Sequence, residues 1–409
     1  MPDSTPVAAG HATSGTRTAG RSQAVILLFA SCLSVLGAVL LAPVLPRMQQ
    51  AFASTPGVEV LVPIALTVPA LVIGLLSPFA GAVVDRFGRK RLLVGALIGY
   101  ALFGTAPLWL DALPLIVASR AGVGVAEAAI MTCCTTLIAD YFSGRDRDRY
   151  LGLQTVFTSL SAVLFFGLGG ALGDVGWRAP FWLYATSLVL AVLVALFVWQ
   201  PERPADGHEP APGAADAGAF PWRLLAVPCA VTLFGGIVFY APIVELPFVL
   251  SGIGVTSTAA IGQVSAVAAV ATAAGAISFA RVARLGTRVL LPVAFGLAGL
   301  GLIGMAAGSS VVVVAAGATV ASAGTGLLLP TLLTWAISPL HFAQRGRGTG
   351  LWTAAFFIGQ FVCPLGILAA GGALGGLSAA LVLLGAASVV SGAAVTAAMT
   401  ARRGAQAAG

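Results

Sequence analysis

Twelve predominantly apolar stretches occupy most of this 409-residue chain, at 24–45, 60–82, 92–109, 113–139, 151–172, 180–199, 224–250, 256–280, 289–308, 311–337, 349–370 and 377–398. Each comes close to or exceeds the ~20 residues that a helix needs to cross the ~30 Å hydrocarbon core of a bilayer. A water-soluble domain has nowhere to bury so much apolar surface. Hydrophobic residues make up 58% of the chain and charged residues 9%, with mean hydropathy +1.00, whereas soluble domains carry roughly a quarter charged residues. Membrane β-strands would be about ten residues long with period-two alternation. These runs are longer and do not alternate, so the backbone has to satisfy itself within helices. The expected fold is an all-α membrane protein with twelve transmembrane helices.

The net charge of +7 is a matter of distribution. If both termini are placed in the cytoplasm, only Arg47, Arg120 and Arg178 of the 21 Lys and Arg lie away from that face, leaving 21 − 3 = 18 on it. The positive-inside rule then predicts cytoplasmic termini, and the basic balance is a topology signal with no nucleic-acid partner implied. Residues 1–21 are rich in small polar residues and lead into a full-length apolar run, not the short apolar core of a cleaved signal. A disordered tail and an uncleaved first helix are expected.

All five cysteines (Cys32, Cys133, Cys134, Cys229 and Cys363) fall inside apolar stretches without C-x-x-C spacing, and His11, His208 and His341 fall in tails or loops. The cysteines read as small packing residues. No metal site and no cofactor is expected, and with Lys90 as the single lysine outside any G-x-x-x-x-G-K-[ST] loop, ATP-driven transport is disfavoured.

Residues 201–222 turn abruptly to Pro, Gly, Ala and acidic side chains, the composition of a flexible linker. The expected division is a tail over 1–21, a six-helix bundle over 22–200, the linker, a second six-helix bundle over 223–400, and a tail over 401–409. Self-similarity supports the cut. Gly88 and Gly286 are 286 − 88 = 198 positions apart, and Arg147 with Arg345, Arg149 with Arg347, and Gly152 with Gly350 repeat that offset. The second copy has lost charge, with Ala283 where the first has Asp85.

The loop after the second stretch reads Gly81-Ala82-Val83-Val84-Asp85-Arg86-Phe87-Gly88-Arg89-Lys90. A carboxylate at Asp85 can accept hydrogen bonds from the free N–H groups of a helix start, where the dipole favours negative charge, and the eleventh stretch begins on the same face. Gly81 allows close helix approach, Gly88 permits the turn, and Arg89 is placed to pair with Asp140. Residues 81–93 resemble the loop signature of the major facilitator superfamily, G-x-L-x-D-R-x-G-R-K-x-x-L, with Val83 replacing the leucine. The resemblance implies two pseudo-symmetric six-helix bundles in a bacterial inner membrane. It also implies a gate built from Gly81, Asp85, Arg86, Gly88, Arg89, Lys90 and Asp140 that shuts the cytoplasmic side.

In the fourth stretch, Glu127 lies 14 residues from both Leu113 and Tyr141, about 21 Å of helix either way and so near the midplane. Arg120 is two turns away on nearly the same face. An ionised group at mid-bilayer costs about 3 kcal/mol or more unless it is paired or faces a cavity. Two readings stay open: Glu127 carries a proton with Arg120 modulating it, or the two lock the helix in place as a structural pair. The run Gly124 to Ala128 resembles the fourth helix of Spinster-type facilitators, and the R-x-x-Q-G motif of the superfamily is met with Val123 in place of glutamine. The Gly-Pro-x-x-Gly-Gly stretch of proton-coupled drug antiporters is degraded to Gly167, Gly169, Gly170 and Gly173 without its proline.

Ser34, Tyr240, Glu245, Thr325, Trp335 and Gln360 are the expected substrate-cavity residues, in helices 1, 7, 10 and 11. Glu245 reads equally as an interfacial carboxylate and Gln360 equally as an interhelical bond. Pro242 and Pro247 predict a kink or break in helix 7. The resemblance implies a secondary transporter that needs no enzyme chemistry and works as a monomer among membrane lipids. Proton-coupled efflux of a hydrophobic or amphipathic small molecule is the leading expectation, with a lipophilic cation favoured by the two glutamates. Uptake or facilitated diffusion of a metabolite or lipid is the alternative, and a non-transporting receptor a remote one.

Overall fold

The computed structural model describes residues 20–200, 220–341 and 344–407, with side chains for all of these except Asp85 and residues 399–407. Of the predicted tail over 1–21 and linker over 201–222, residues 1–19 and 201–219, with His11 and His208, lie outside the described residues, and helix already begins at Arg21 and Trp222.

Among the described residues, twelve helices are long and apolar enough to cross a membrane. They are α1 (Arg21–Ala51), α2 (Val58–Val84), α3 (Arg89–Leu108), α4 (Leu113–Tyr141), α5 (Gly144–Val175) and α6 (Ala179–Phe197) in the first half. The second half holds α7 (Trp222–Gly252), α8 (Thr258–Leu285), α9 (Thr287–Ala307), α10 (Val311–Ile337), α11 (Arg345–Leu374) and α12 (Leu377–Ala398), the last continuing as helix to Ala407. Each predicted stretch has its helix, but several helices outrun their apolar core. α5 begins at Gly144, seven residues before the predicted start at 151, because Arg145 to Arg149 form exposed polar turns that hydropathy cannot register.

Twelve crossings put the start of α1 and the end of α12 on one side, the terminal face. The halves form two six-helix bundles, and their likeness reaches the backbone. Gly88 ends α2 at φ 80° and Gly286 ends α8 at φ 76°, the two positions 198 apart that open α3 and α9. Only glycine adopts such a φ without strain.

Two seams join the bundles. On α5 and α8, Gly170 and Gly262 approach so closely that a Cβ on either would lie 2.9 Å from the other's Cα, a small-residue contact that substitutes for a hydrophobic driving force within lipid. On α2 and α11, Ser77 Oγ donates to Gly350 O at 3.1 Å and Gly74 packs on Ala354 and Ile358. Large apolar side chains such as Leu160, Leu196 and Leu300 stand exposed on the outside, as a lipid-facing surface requires.

Of the kink or break expected in the seventh helix, the break is absent. α7 runs from Trp222 to Gly252 with Pro228, Pro242 and Pro247 inside it. Proline within a membrane helix is tolerated where neighbouring helices cover the freed backbone groups. Breaks occur instead at Pro43 in α1 and Pro78 in α2, each within a 3-10 turn.

Candidate functional site

Between the bundles lies a cavity of about 480 Å³, to which α1, α4, α5, α7, α8, α10 and α11 contribute. Helices 1, 7, 10 and 11, which carry the expected cavity residues, all line it, and α4, α5 and α8 join them. On α5 it begins at Gln154 and on α8 it extends to Ala276, so it occupies the side of this seam nearer the terminal face.

The opposite face is clamped shut. Arg47, at the end of α1, donates to Asp174 Oδ1 at 3.1 Å, Gly173 O at 2.7 Å and Thr256 O at 3.3 Å. Asp174, closing α5, accepts from the Thr258 amide at 2.9 Å, the Thr258 hydroxyl at 2.9 Å and the Ser257 hydroxyl at 3.0 Å at the start of α8. Deeper in, the Tyr240 hydroxyl of α7 donates to Ala38 O of α1 at 2.8 Å. Of these residues only Tyr240 is singled out from sequence, as a cavity residue; Arg47, Asp174, Ser257 and Thr258 are not. Arg47 carried the available signal as one of three basic residues off the basic face.

Of the six expected cavity residues, Ser34, Tyr240, Thr325 and Gln360 line it, while Glu245 and Trp335 do not. Glu245 is 5% exposed, and no described residue offers it a hydrogen bond or ion pair. It is Leu246, one position on and about 100° round the helix, that reaches the lining. No ionisable acid or base side chain of the Asp, Glu, Lys, Arg or His type lines the cavity among the described residues, so the charge that favoured a cationic ligand is absent from its wall.

Glu127 and Arg120 are buried, 1% and 0% exposed, and both stand outside the lining. They make no direct ion pair. Arg120 turns to α6, donating from Nη2 to the Tyr184 hydroxyl with its guanidinium 4.8 Å from that ring. Its Nε and Nη1 have no hydrogen-bond partner among the described residues. Glu127 turns to α1 and α3. Tyr100 OH donates to Leu33 O at 2.6 Å and is 3.3 Å from Glu127 Oε1, and a Cβ on Gly37 would collide with the same carboxylate. Seven residues separate the two groups by about 10 Å along the axis, so neighbouring helices take them up instead. The rings of Tyr100 and Tyr184 meet at 5.0 Å and connect the two ends.

Of the gate residues, Arg89 and Asp140 form an ion pair as expected. It joins α3 to α4 within one bundle. Lys90 Nζ donates to Ala195 O at 2.8 Å and its amide to Gln200 Oε1 at 3.0 Å, holding the α3 start against the end of the same half. Arg86 stacks over Phe87 at 5.9 Å. Gly81 faces open space, so the close helix approach expected there is not made; that approach falls to Gly74, two turns earlier on α2. Asp85 lies in helix, and its side chain is outside the described residues.

Two inter-packed helical halves around a central cavity are one of the recurring plans of secondary transporters. The model of the Major Facilitator Superfamily matches residues 27–364, and the chain belongs to this family of transporters, not of enzymes. It is 32% identical over 181 residues to the tetracycline resistance protein, class C, of Escherichia coli, covering 43% of this chain and 44% of the relative. It is 34% identical over 140 residues to multidrug resistance protein 1 of Bacillus subtilis (strain 168), covering 33% of this chain and 35% of the relative. The chain thus spans less than half the length of these curated relatives. In fold it is similar to crystal structures of a bacterial homolog to the human lysosomal transporter Spinster. The inward-facing, unoccupied form matches at TM-score 0.73 and 16% identity, covering 92% of this chain and 97% of that one. The inward-facing, occupied form matches at TM-score 0.74, with 91% and 95% covered.

Proposed function

We propose that this protein exports a hydrophobic or amphipathic small molecule from the cytoplasm, driven by protons and cycling by alternating access. The observation that carries this reading is the cavity between the bundles, shut at the Asp174 clamp and continued toward the terminal face. Its similarity to resistance proteins for tetracycline and for multiple drugs supports export as the direction.

In this reading the terminal face is cytoplasmic, because 18 of the 21 basic residues fall there, and the membrane is a bacterial inner membrane. Residues 22–200 and 223–400 act as the two moving bodies of a functional monomer, with 201–222 as their linker. Glu127 carries the proton and Arg120 modulates it through Tyr184 and Tyr100. Ser34, Tyr240, Thr325 and Gln360 contact substrate, with Glu245 and Trp335 behind the lining. Gly81, Asp85, Arg86, Gly88, Arg89, Lys90 and Asp140 form the cytoplasmic gate, closing when the Asp174 clamp opens.

Proteoliposomes with an imposed pH gradient test the reading. Tetracycline, ethidium and an uncharged dye are followed while trapped pyranine reports internal pH. Gradient-dependent flux of at least one compound with matching proton movement is expected from the wild type and not from Glu127→Gln. Flux that ignores the gradient would leave facilitated diffusion in its place.

A further inference from the structure

We propose that the cavity selects a neutral amphipathic ligand and that the Gln360 carboxamide is its polar anchor, taking up a hydrogen-bond donor–acceptor group such as another carboxamide. This substrate class rests on the proposed transport role only in taking the central cavity as the binding site.

The cavity wall looks polar by residue type, but most of its hydroxyls already donate within the protein. Ser34 donates to Ser31 O at 2.7 Å, Ser265 to Ile261 O at 2.9 Å, and Thr325 to Ser322 O at 3.0 Å, each within its own helix. Tyr240 is committed to Ala38 O. The amide nitrogen of Gln154 donates both ways, to Ser31 Oγ at 2.8 Å and Thr135 Oγ1 at 3.2 Å. Gln360 differs from all of these. It is 4% exposed, lines the cavity, and has no hydrogen-bond partner among the described residues for either end of its amide. A buried carboxamide left in this state is costly unless something occupies the cavity beside it.

The surroundings of Gln360 define the rest of the ligand. Phe356 lies one turn before it on the same face of α11, and the rings of Phe356 and Phe239 meet edge-on at 5.2 Å, with Phe357 also on the lining. An aromatic or otherwise apolar body fits that corner, with its polar group directed at the amide. A charged group would enter a wall with no counter-charge on it, since Glu127 and Glu245 are both off the lining. An ion transferred from water into such a site gives up its hydration without compensation. Gln360 supplies two donors and one acceptor carbonyl, which suits a neutral group that both donates and accepts. Ser322, also on the lining, 4% exposed and without a hydroxyl partner among the described residues, offers a second hydrogen bond from α10.

The test uses four probes of one size on the full chain in nanodiscs at neutral pH: 2-naphthamide, 2-naphthoate, 2-naphthylmethylammonium and 2-methylnaphthalene. Binding is read by titration calorimetry with empty nanodiscs subtracted. Saturable binding of 2-naphthamide is expected, at least tenfold tighter than each of the other three, which corresponds to about 1.4 kcal/mol. Gln360→Leu should weaken 2-naphthamide about tenfold and leave 2-methylnaphthalene unchanged, and Gln360→Glu should turn the preference toward the ammonium probe. If either charged probe binds as tightly as the amide, if the amide shows no saturable binding, or if Gln360→Leu retains the amide preference, the assignment is overturned. Should the variants not fold, a wild type that fails to prefer 2-naphthamide over 2-methylnaphthalene still overturns the assignment. A wild type that prefers the amide yet moves no compound along a pH gradient would remove proton-driven export and leave the ligand class standing.

Discussion

Asp174 and Thr258 belong to different bundles, yet the carboxylate of the first accepts both the backbone amide and the hydroxyl of the second at 2.9 Å. One half of the protein therefore caps a helix of the other. A helix start presents unsatisfied N–H groups and the positive end of its dipole, so a carboxylate is favoured there, and Arg47 at 3.1 Å holds that carboxylate in place.

Replacing Asp174 with Asn removes the charge while keeping the shape. Hydrogen bonds to a charged acceptor contribute about 1.5–3 kcal/mol when buried. Asp174 and Arg47 are about one third exposed, so about 1 kcal/mol, or fivefold in population, is the scale to expect. Spin labels at Ala112 and Ser309, exposed loop positions on the clamped face, one in each bundle, should report a longer-distance population growing by that factor. An unchanged distance distribution would reduce the clamp to a passive contact.

The same device was anticipated from sequence on the other face, with Asp85 and the start of α11. The signal there was a dense local pattern of glycine and charge, whereas Asp174 is a lone carboxylate whose partner lies 84 residues away. Composition and length sufficed for the helices, because a bilayer dictates both. Cavity residues were partly legible: polar side chains are scarce in such helices, so Ser34, Thr325 and Gln360 stood out. Glu245 stood out for the same reason but is not on the wall, because a shift of one position turns a side chain by about 100° and only packing fixes that angle. Nor could spacing along α4 reveal that Tyr184 and Tyr100 would take up Arg120 and Glu127 separately.

The gate loop offers a paired test. Arg89 and Asp140 sit on α3 and α4 of one bundle, each about a quarter exposed, 25% and 24%. Asp140→Asn, which removes an ion pair inside one bundle, should cost about 1 kcal/mol or less of stability and shift the ratio of the two conformations less than Asp85→Asn does. Asp85→Asn, if the carboxylate meets the start of α11 in the other half, should leave expression near normal, cut transport sharply and shift the ratio toward the state described above. Spin-label distances on the terminal face separate the two. Equal effects from both variants would make the loop a topology determinant and nothing more.

Gly37 leaves room for Glu127. Any Cβ there meets the carboxylate, so Gly37→Ala must push α1 from α4 or displace the glutamate, at a cost of about 1–3 kcal/mol for overpacking. The next residue, Ala38, accepts the Tyr240 hydroxyl across the bundles, so the disturbance should also reach the closed seam. In thermal unfolding, Gly37→Ala with Glu127→Ala should be no less stable than Glu127→Ala alone, because the collision is gone. Additive losses instead would show that Gly37 serves backbone packing unrelated to the carboxylate.

Arg120 and Glu127 allow the structural and the proton-carrying roles to be told apart. Each is fully buried in α4, each has its own tyrosine partner, and no direct ion pair joins them. Opposite charges in one low-dielectric region still compensate each other at a distance. Removing one alone should therefore destabilise by about 3–5 kcal/mol, the cost seen when a buried charge loses its counterpart, with poor membrane yield as the readout. Arg120→Leu combined with Glu127→Gln removes both charges and should recover yield and thermal stability. If Glu127 serves only to hold α4, transport driven by the pH gradient recovers with the fold. If it carries the proton, the double variant folds, still binds ligand in a cavity whose wall neither residue touches, and moves it only down its own concentration gradient. Full gradient-driven export by the double variant would retire Glu127 as the proton carrier.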